Sequence, residues 1–146
     1  MDPKIQDFLL ATRLAVVGVS HSDQKFGTAT YKELKARGFE VYGVNPTLAT
    51  VDGDPCYASL AELAGKVEGV VICVPPQKAA GVIREAAAAG IQKIWLQQGA
   101  QSVETGKVAR EVGVTPVEGK CILMYAGEVK SIHAFHRFFA RVFGQY

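Results

Sequence analysis

Apolar residues run through this chain in short unbroken blocks, each followed by a polar-apolar stretch of helical period. The blocks LAVVGV (14–19), FEVYGVN (39–45), EGVVICV (68–74) and KIWLQ (93–97) read as strands, and VTPV (114–117) as a short fifth one. Runs that are apolar on both faces belong to strands buried on both sides. Between them, Asp2-Pro3 starts a short helix reaching about Ala11. Residues 27–37 form a helix with Tyr31 and Leu34 inward and Gly38 just past its end. Thr47 to Pro55 is a loop, and Ser59 with Glu62 three residues on marks a capping box on a short helix. Residues 77–89 are an alanine-rich helix closed by Gly90, and Ser102 caps another that runs to Gly113. A last helix starts near Glu128 and aligns Val129, Ile132, Phe135, Phe139 and Val142 on one stripe.

Strands alternating with helices specify a parallel sheet covered on both faces. The expectation is one α/β domain over residues 1–146, a Rossmann-like doubly wound parallel sheet of about five strands in the order 3-2-1-4-5. Ligands of such sheets lie beyond the carboxyl ends of the strands, at the switch point of strand order. The residues that follow each strand therefore become the candidates: the loop from Gly18 to Gly27, Asn45-Pro46, Val74-Pro75-Pro76, and Gln97-Gln98-Gly99.

Composition narrows the partners. In 146 residues, 49% are hydrophobic and 21% charged, which suits a globular chain, and the net charge of +2 comes without a Lys/Arg block. A duplex nucleic-acid binder needs a basic stripe, so none is expected as partner. No apolar run reaches the ~20 residues of a membrane span. Cys56, Cys73 and Cys121 are widely spaced without a CxxC pair, as reduced thiols of a cytoplasmic protein would be.

The first loop, VVGVSHSDQKFG (16–27), opens like a nucleotide-binding turn and then departs from it. A dinucleotide fingerprint beginning at Gly18 needs glycines at positions 20 and 23, where this chain has Ser20 and Asp23. The next glycine is Gly27, so the loop is longer, and the P-loop spacing fails as well. Gly27-Thr28 still opens a helix, whose free N–H groups attract phosphate, with Ser20, His21 and Lys25 near by in sequence. An NAD site places an acid at the end of the second strand, where this chain has Asn45-Pro46. Pro75-Pro76 makes a rigid, donor-free edge, either a shelf for a flat base or a stiff helix entry.

Taken in order, VGVSHSDQKFG, VYGVNP, VICVPP, IWLQQGA and GKCILM resemble the small single-domain CoA-binding proteins, which are similar to the CoA-binding domain of succinyl-CoA synthetase α subunits and of ADP-forming acyl-CoA synthetases. The resemblance runs from about residue 12 to 125 and implies a Rossmann-like fold with coenzyme A lying over the strand ends. It implies that Gly18, Val19, Ser20, His21, Lys25, Phe26 and Gly27 surround the phosphates. Asn45-Pro46 and Val74, Pro75 and Pro76 would border the adenosine, and Gln97, Gln98 and Gly99 would face the pantetheine arm. Two departures stand out. His21 occupies a position where relatives often carry arginine, and Thr47 follows Pro46 where the synthetases carry lysine.

The implied function is binding of CoA or an acyl-CoA, as carrier, sensor or regulator, without catalytic machinery. The alternatives are an enzyme using NAD(P) or acyl-CoA, and an interaction subunit with a vestigial pocket. The ligases need a phosphohistidine on a second domain and a nucleotide-binding partner. His133 and His136, three apart on the last helix, make a poor metal site without a third ligand. Cys73 reads as core, and Cys121 has no base beside it in sequence. Phe135, Phe138, Phe139 and Phe143 exceed what one buried stripe needs, which points to a homodimer face on the last helix.

Overall fold

The structure, a computed structural model, describes residues 2–22 and 25–127. The elements run α1 (Pro3–Phe8), β1 (Arg13–Val17), α2 (Phe26–Ala36), β2 (Glu40–Val44), β3 (Thr50–Val51), β4 (Asp54–Tyr57), β5 (Gly69–Ile72), α3 (Pro76–Ala88), β6 (Lys93–Gln97), α4 (Val103–Val112) and β7 (Val117–Lys120). A single 3-10 turn lies at Leu60–Leu63 and another at Ile122–Met124. The helix expected from Glu128 onward, with its phenylalanines and His133 and His136, lies outside the described residues.

The seven strands form one sheet in the order β3-β4-β2-β1-β5-β6-β7, parallel except for β3 against β4. The Rossmann-like class stands, but strand count and order differ from expectation. The stretch read as a loop, Thr47 to Pro55, contains a hairpin, and β4 takes the outer place beside β2 that was assigned to the 68–74 strand. That strand, β5, pairs with β1 on its other side. Counting only the six parallel strands, the order is 3-2-1-4-5-6, with the switch point between β1 and β5.

The hairpin has a local cause. Asp52 and Gly53 both have positive φ, 50° and 78°, joining Val51 and Asp54 as a two-residue turn. Asp-Gly is the pair that tolerates two left-handed residues, and such turns match the twist of the strands. Val51 is buried, and Tyr31 of α2 donates its hydroxyl to Asp54 Oδ2 at 2.7 Å. Lys35 Nζ lies 2.7 Å from the same carboxylate, so the hairpin is tied to α2.

Alternating side chains of the central strands feed two cores. Ala15, Val17, Val70, Ile72, Ile94 and Leu96 face α3 and α4, meeting Ile83, Ala86 and Val108. Leu14, Val16, Val71 and Trp95 face α1 and α2, meeting Phe8, Tyr31 and Leu34. Trp95, fully buried, packs edge-on to Phe8 at 5.3 Å and donates its indole N–H to the Lys120 carbonyl at 2.9 Å.

Element ends shift by a few residues. Helix α1 stops at Phe8 rather than Ala11, because Leu10 and Ala11 turn back in i→i−3 bonds to Asp7 and Phe8. The fifth predicted strand lies at Val117–Lys120, three residues late, since residue 116 is a proline and cannot donate to a ladder. The Ser59-Glu62 capping box does not form: Ser59 makes no side-chain cap bond, and the segment winds as a 3-10 turn. At α4 the cap forms, but Ser102 pairs with Thr105, and Gly113 closes the helix at φ 79°.

Candidate functional site

The switch point opens as a cleft of about 750 Å³ at the carboxyl ends of β1, β2 and β5, within the usual size of small-molecule sites. Its walls come from the first loop, the β2 end and one face of α3. Ten of the fifteen residues singled out in the sequence line it: Gly18, Val19, Ser20, Lys25, Phe26, Gly27, Asn45, Pro46, Val74 and Pro75.

Two glycines shape the first loop. Gly18 has φ 113°, and a Cβ there would meet the Cys73 carbonyl oxygen at 2.4 Å. A Cβ on Gly27 would meet the Gly18 carbonyl oxygen at 2.2 Å. These are the roles that the first and last glycines of a dinucleotide fingerprint perform, a sharp turn and a close helix approach. Here eight residues separate them, so a wider loop is bound to the same tight base. Thr28 holds that loop: its Oγ1 accepts from the Ser20 N–H at 2.8 Å and donates to the Ser20 carbonyl at 3.0 Å. The Ser20 hydroxyl engages the Ser22 backbone at 3.2 Å.

Asn45 braces the other wall. Its Nδ2 donates to the Val19 carbonyl at 2.8 Å, and its Oδ1 accepts from Thr47 N and Thr47 Oγ1 at 2.8 and 3.0 Å. A carboxylate at this place, as an NAD site requires, has no proton to give Val19. Both ends of the Asn45 amide are spent on holding the β1 and β2 loops together.

The charge pattern is directional. The N-termini of α2 and α3 open toward the cleft, with Lys25 and Pro75 at their N-cap positions, and neither has a capping side chain. Helices α1 and α4, away from the cleft, are capped by Asp2 and Ser102. The first N–H groups of α2 are thus left to whatever occupies the cleft, whereas α3, with prolines at its N-cap and first position and the Lys78 N–H bonded to the Pro75 carbonyl at 2.9 Å, offers that of Gln77 alone. Lys25 and Lys78 add two ammonium groups, and Phe26, half exposed, stands at the rim. Cys73 lines the floor, and burial pushes its thiol up to about 12, so it is uncharged at neutral pH.

Sequence reasoning missed the α3 face: Gln77, Lys78, Gly81, Val82 and Glu85 all line the cleft. Spacing of 78, 82 and 85 is the signal that marks one helix face. The structure leaves five candidates out of the lining. Pro76 is the first residue of α3, one place inside Pro75, and His21 is exposed on the loop. Gln97 is buried: its Oε1 accepts from the Ile122 N–H at 2.8 Å, and its Nε2 reaches Cys121 Sγ at 3.6 Å. It joins β6 to the segment after β7. Gln98 and Gly99 follow on the exposed turn beyond β6, with Gly99 N–H bonded to Gln101. Among the described residues no group of three His, Cys, Asp or Glu side chains could hold a metal, and no helix is long and apolar enough to cross a membrane.

A parallel sheet with uncapped helix N-termini and cations at its switch point defines a Rossmann-like nucleotide-binding domain. The profile of the CoA binding domain family matches residues 12–126, and the chain belongs to that family. It is 29% identical over 110 residues to the uncharacterized protein YneT of Bacillus subtilis, covering 75% of this chain and 82% of YneT. It is 27% identical over 134 residues to the ADP-forming acetate–CoA ligase I of Archaeoglobus fulgidus, covering 85% of this chain but only 20% of the ligase. Among solved structures, a conserved hypothetical protein from Pyrococcus furiosus superposes with a TM-score of 0.73 at 38% identity, over 77% of this chain and 97% of that one.

Proposed function

We propose that the cleft binds coenzyme A or an acyl-CoA, and that the chain acts as a carrier, sensor or regulator of that ligand rather than as a ligase. The observation that carries this reading is the pairing of two uncapped helix N-termini with Lys25 and Lys78 around one cleft. CoA brings three phosphates, and the N–H groups opening α2, the Gln77 N–H of α3 and the two ammonium groups suit a bent polyphosphate. Lys78 also supplies from α3 a cation that Thr47 does not supply from the β2 loop. The Asn45 brace argues against NAD, because the ribose-binding acid is replaced by an amide already committed to the loops.

Family membership supports the ligand class, and the matched part of the Archaeoglobus fulgidus ligase is a fifth of that protein. The uncharged Cys73 thiol is no ready nucleophile. Isothermal titration with CoA and with NAD tests the proposal. CoA should bind at least about tenfold tighter than NAD, the equivalent of one charge-assisted contact. Equal affinity, or nucleotide-dependent thioester formation by the purified chain, overturns it.

A further inference from the structure

The cleft has a polarity of its own. Its cations, Lys25 and Lys78, lie at the helix N-termini, whereas the one acid among its described lining residues, Glu85, stands farther along α3. Lys78 and Glu85 are seven residues apart on one face, two turns or about 10 Å along the axis. Between them the wall is small and apolar, made by Gly81 and Val82, with Ala58 and Val74 also lining the cleft. A Cβ at Gly81 would meet nothing within 4 Å, so the wall there is open to a flat group.

An acid beside a polyanion is unfavourable, so Glu85 does not belong to the phosphate end. The separation is comparable to that between the 5′ phosphates and the base of an extended nucleotide. A carboxylate in this place is an acceptor with no donor of its own, suited to an exocyclic amine.

We propose that Glu85 is a specificity residue of the cleft: its carboxylate accepts a hydrogen bond from the 6-amino group of the adenine ring, which lies on the Gly81–Val82 wall. This rests on the CoA-binding proposal and refines it by naming the residue that reads the base. Neither Glu85 nor the α3 face was among the residues marked by sequence.

The test compares CoA with its analogue carrying purine in place of adenine, which lacks only the 6-amino group. Both are titrated into wild-type protein and Glu85→Ala. Glu85 is exposed on a helix, and alanine is a better helix former, so the variant stays folded. Wild type should favour CoA over the purine analogue by about fivefold or more, as hydrogen bonds to a charged group do. In Glu85→Ala that preference should collapse to about twofold or less, with the purine analogue's own affinity unchanged or improved as the repelling charge is removed. Equal binding of both ligands by wild type overturns the base assignment and leaves CoA binding standing. A preference that survives in Glu85→Ala assigns the amine to another residue and overturns the role of Glu85. No binding of either ligand by wild type overturns the CoA proposal together with it.

Discussion

Gly27 approaches Gly18 so closely that a Cβ on the former would lie 2.2 Å from the carbonyl oxygen of the latter. Both atoms in that clash belong to backbone or are fixed to it, so no side chain can swing away. Gly27→Ala must therefore push the start of α2 off the β1 turn. The expected loss is about 1–3 kcal/mol, the usual cost of overpacking, together with loss of ligand binding. Gly106→Ala makes the contrast. It lies inside α4, and its Cβ would meet only the flexible end of Arg110, at 3.6 Å. That variant should gain about 0.5–1 kcal/mol. Urea denaturation of the two variants checks both signs, and a Gly27→Ala protein as stable as wild type would remove the tight loop base.

Asn45→Asp separates the brace from any ribose-binding role. The aspartate can still accept from Thr47 but faces the Val19 carbonyl with an oxygen, turning a 2.8 Å hydrogen bond into a repulsion. An acceptor left without its donor costs about 1–3 kcal/mol. The variant should lose stability and CoA affinity together, without gaining affinity for NAD. Recovery of tight NAD binding in Asn45→Asp would show that the acid alone was missing and that the loop was already suited to a dinucleotide.

Much of this arrangement was legible in the sequence because its causes are local. Blocks apolar on both faces marked the central strands, and Gly38, Gly90 and Gly113 marked helix ends, each with positive φ in the structure. Failure of the glycine spacing after Gly18 showed a wide loop. The β3–β4 hairpin was not legible: the stretch reads as a loop, because strands of two and four residues fall below what hydrophobic periodicity reveals, and the Asp52-Gly53 pair was the one signal of its turn. The contribution of α3 was harder to find. Lys78 and Glu85 are ordinary exposed helix residues until the β5–α3 turn aims their face across the switch point. Gln97 shows the reverse. It sits at a strand end like the other candidates, yet its side chain turns inward, because Ile122 brings an unpaired N–H to that side of the sheet.

The two cleft lysines make a prediction on salt. Lys25→Ala and Lys78→Ala should each weaken CoA binding by about tenfold, as loss of one charge-assisted phosphate contact does, and the double variant should lose more than either. Pantetheine, which lacks phosphate, should be affected little by either change. Wild-type affinity for CoA should fall as sodium chloride is raised, and less steeply in the double variant. A change of the same size for CoA and pantetheine would place the lysines in folding rather than phosphate contact.

Acid should destabilise the protein through two carboxylates outside the cleft. Burial acts to raise the pKa of Glu68, but the Thr12 and Arg13 backbone N–H groups, at 3.0 and 3.2 Å, and the Arg13 charge together hold it below its ordinary 4.5. Asp54 is held below its ordinary 3.8, first by the hydrogen bond from Lys35 and then by that from Tyr31. A depressed folded pKa means that the folded state binds the proton less readily than the unfolded chain. Each group's stabilisation is thus fully present above the unfolded value and is lost as pH falls through the folded one. The Glu68 contribution ties the start of β1 to the residue before β5, and that of Asp54 ties the hairpin to α2. Urea midpoints should be level near neutral pH and drop from about pH 5 downward. Glu68→Gln keeps an acceptor for the two N–H groups but no titrating charge. It should be less stable than wild type near neutral pH and show a shallower drop below about pH 5, the two curves converging in acid. Parallel curves for the two proteins would mean that the Glu68 pKa is the same folded and unfolded, and would take the acid sensitivity away from the β1–β5 junction.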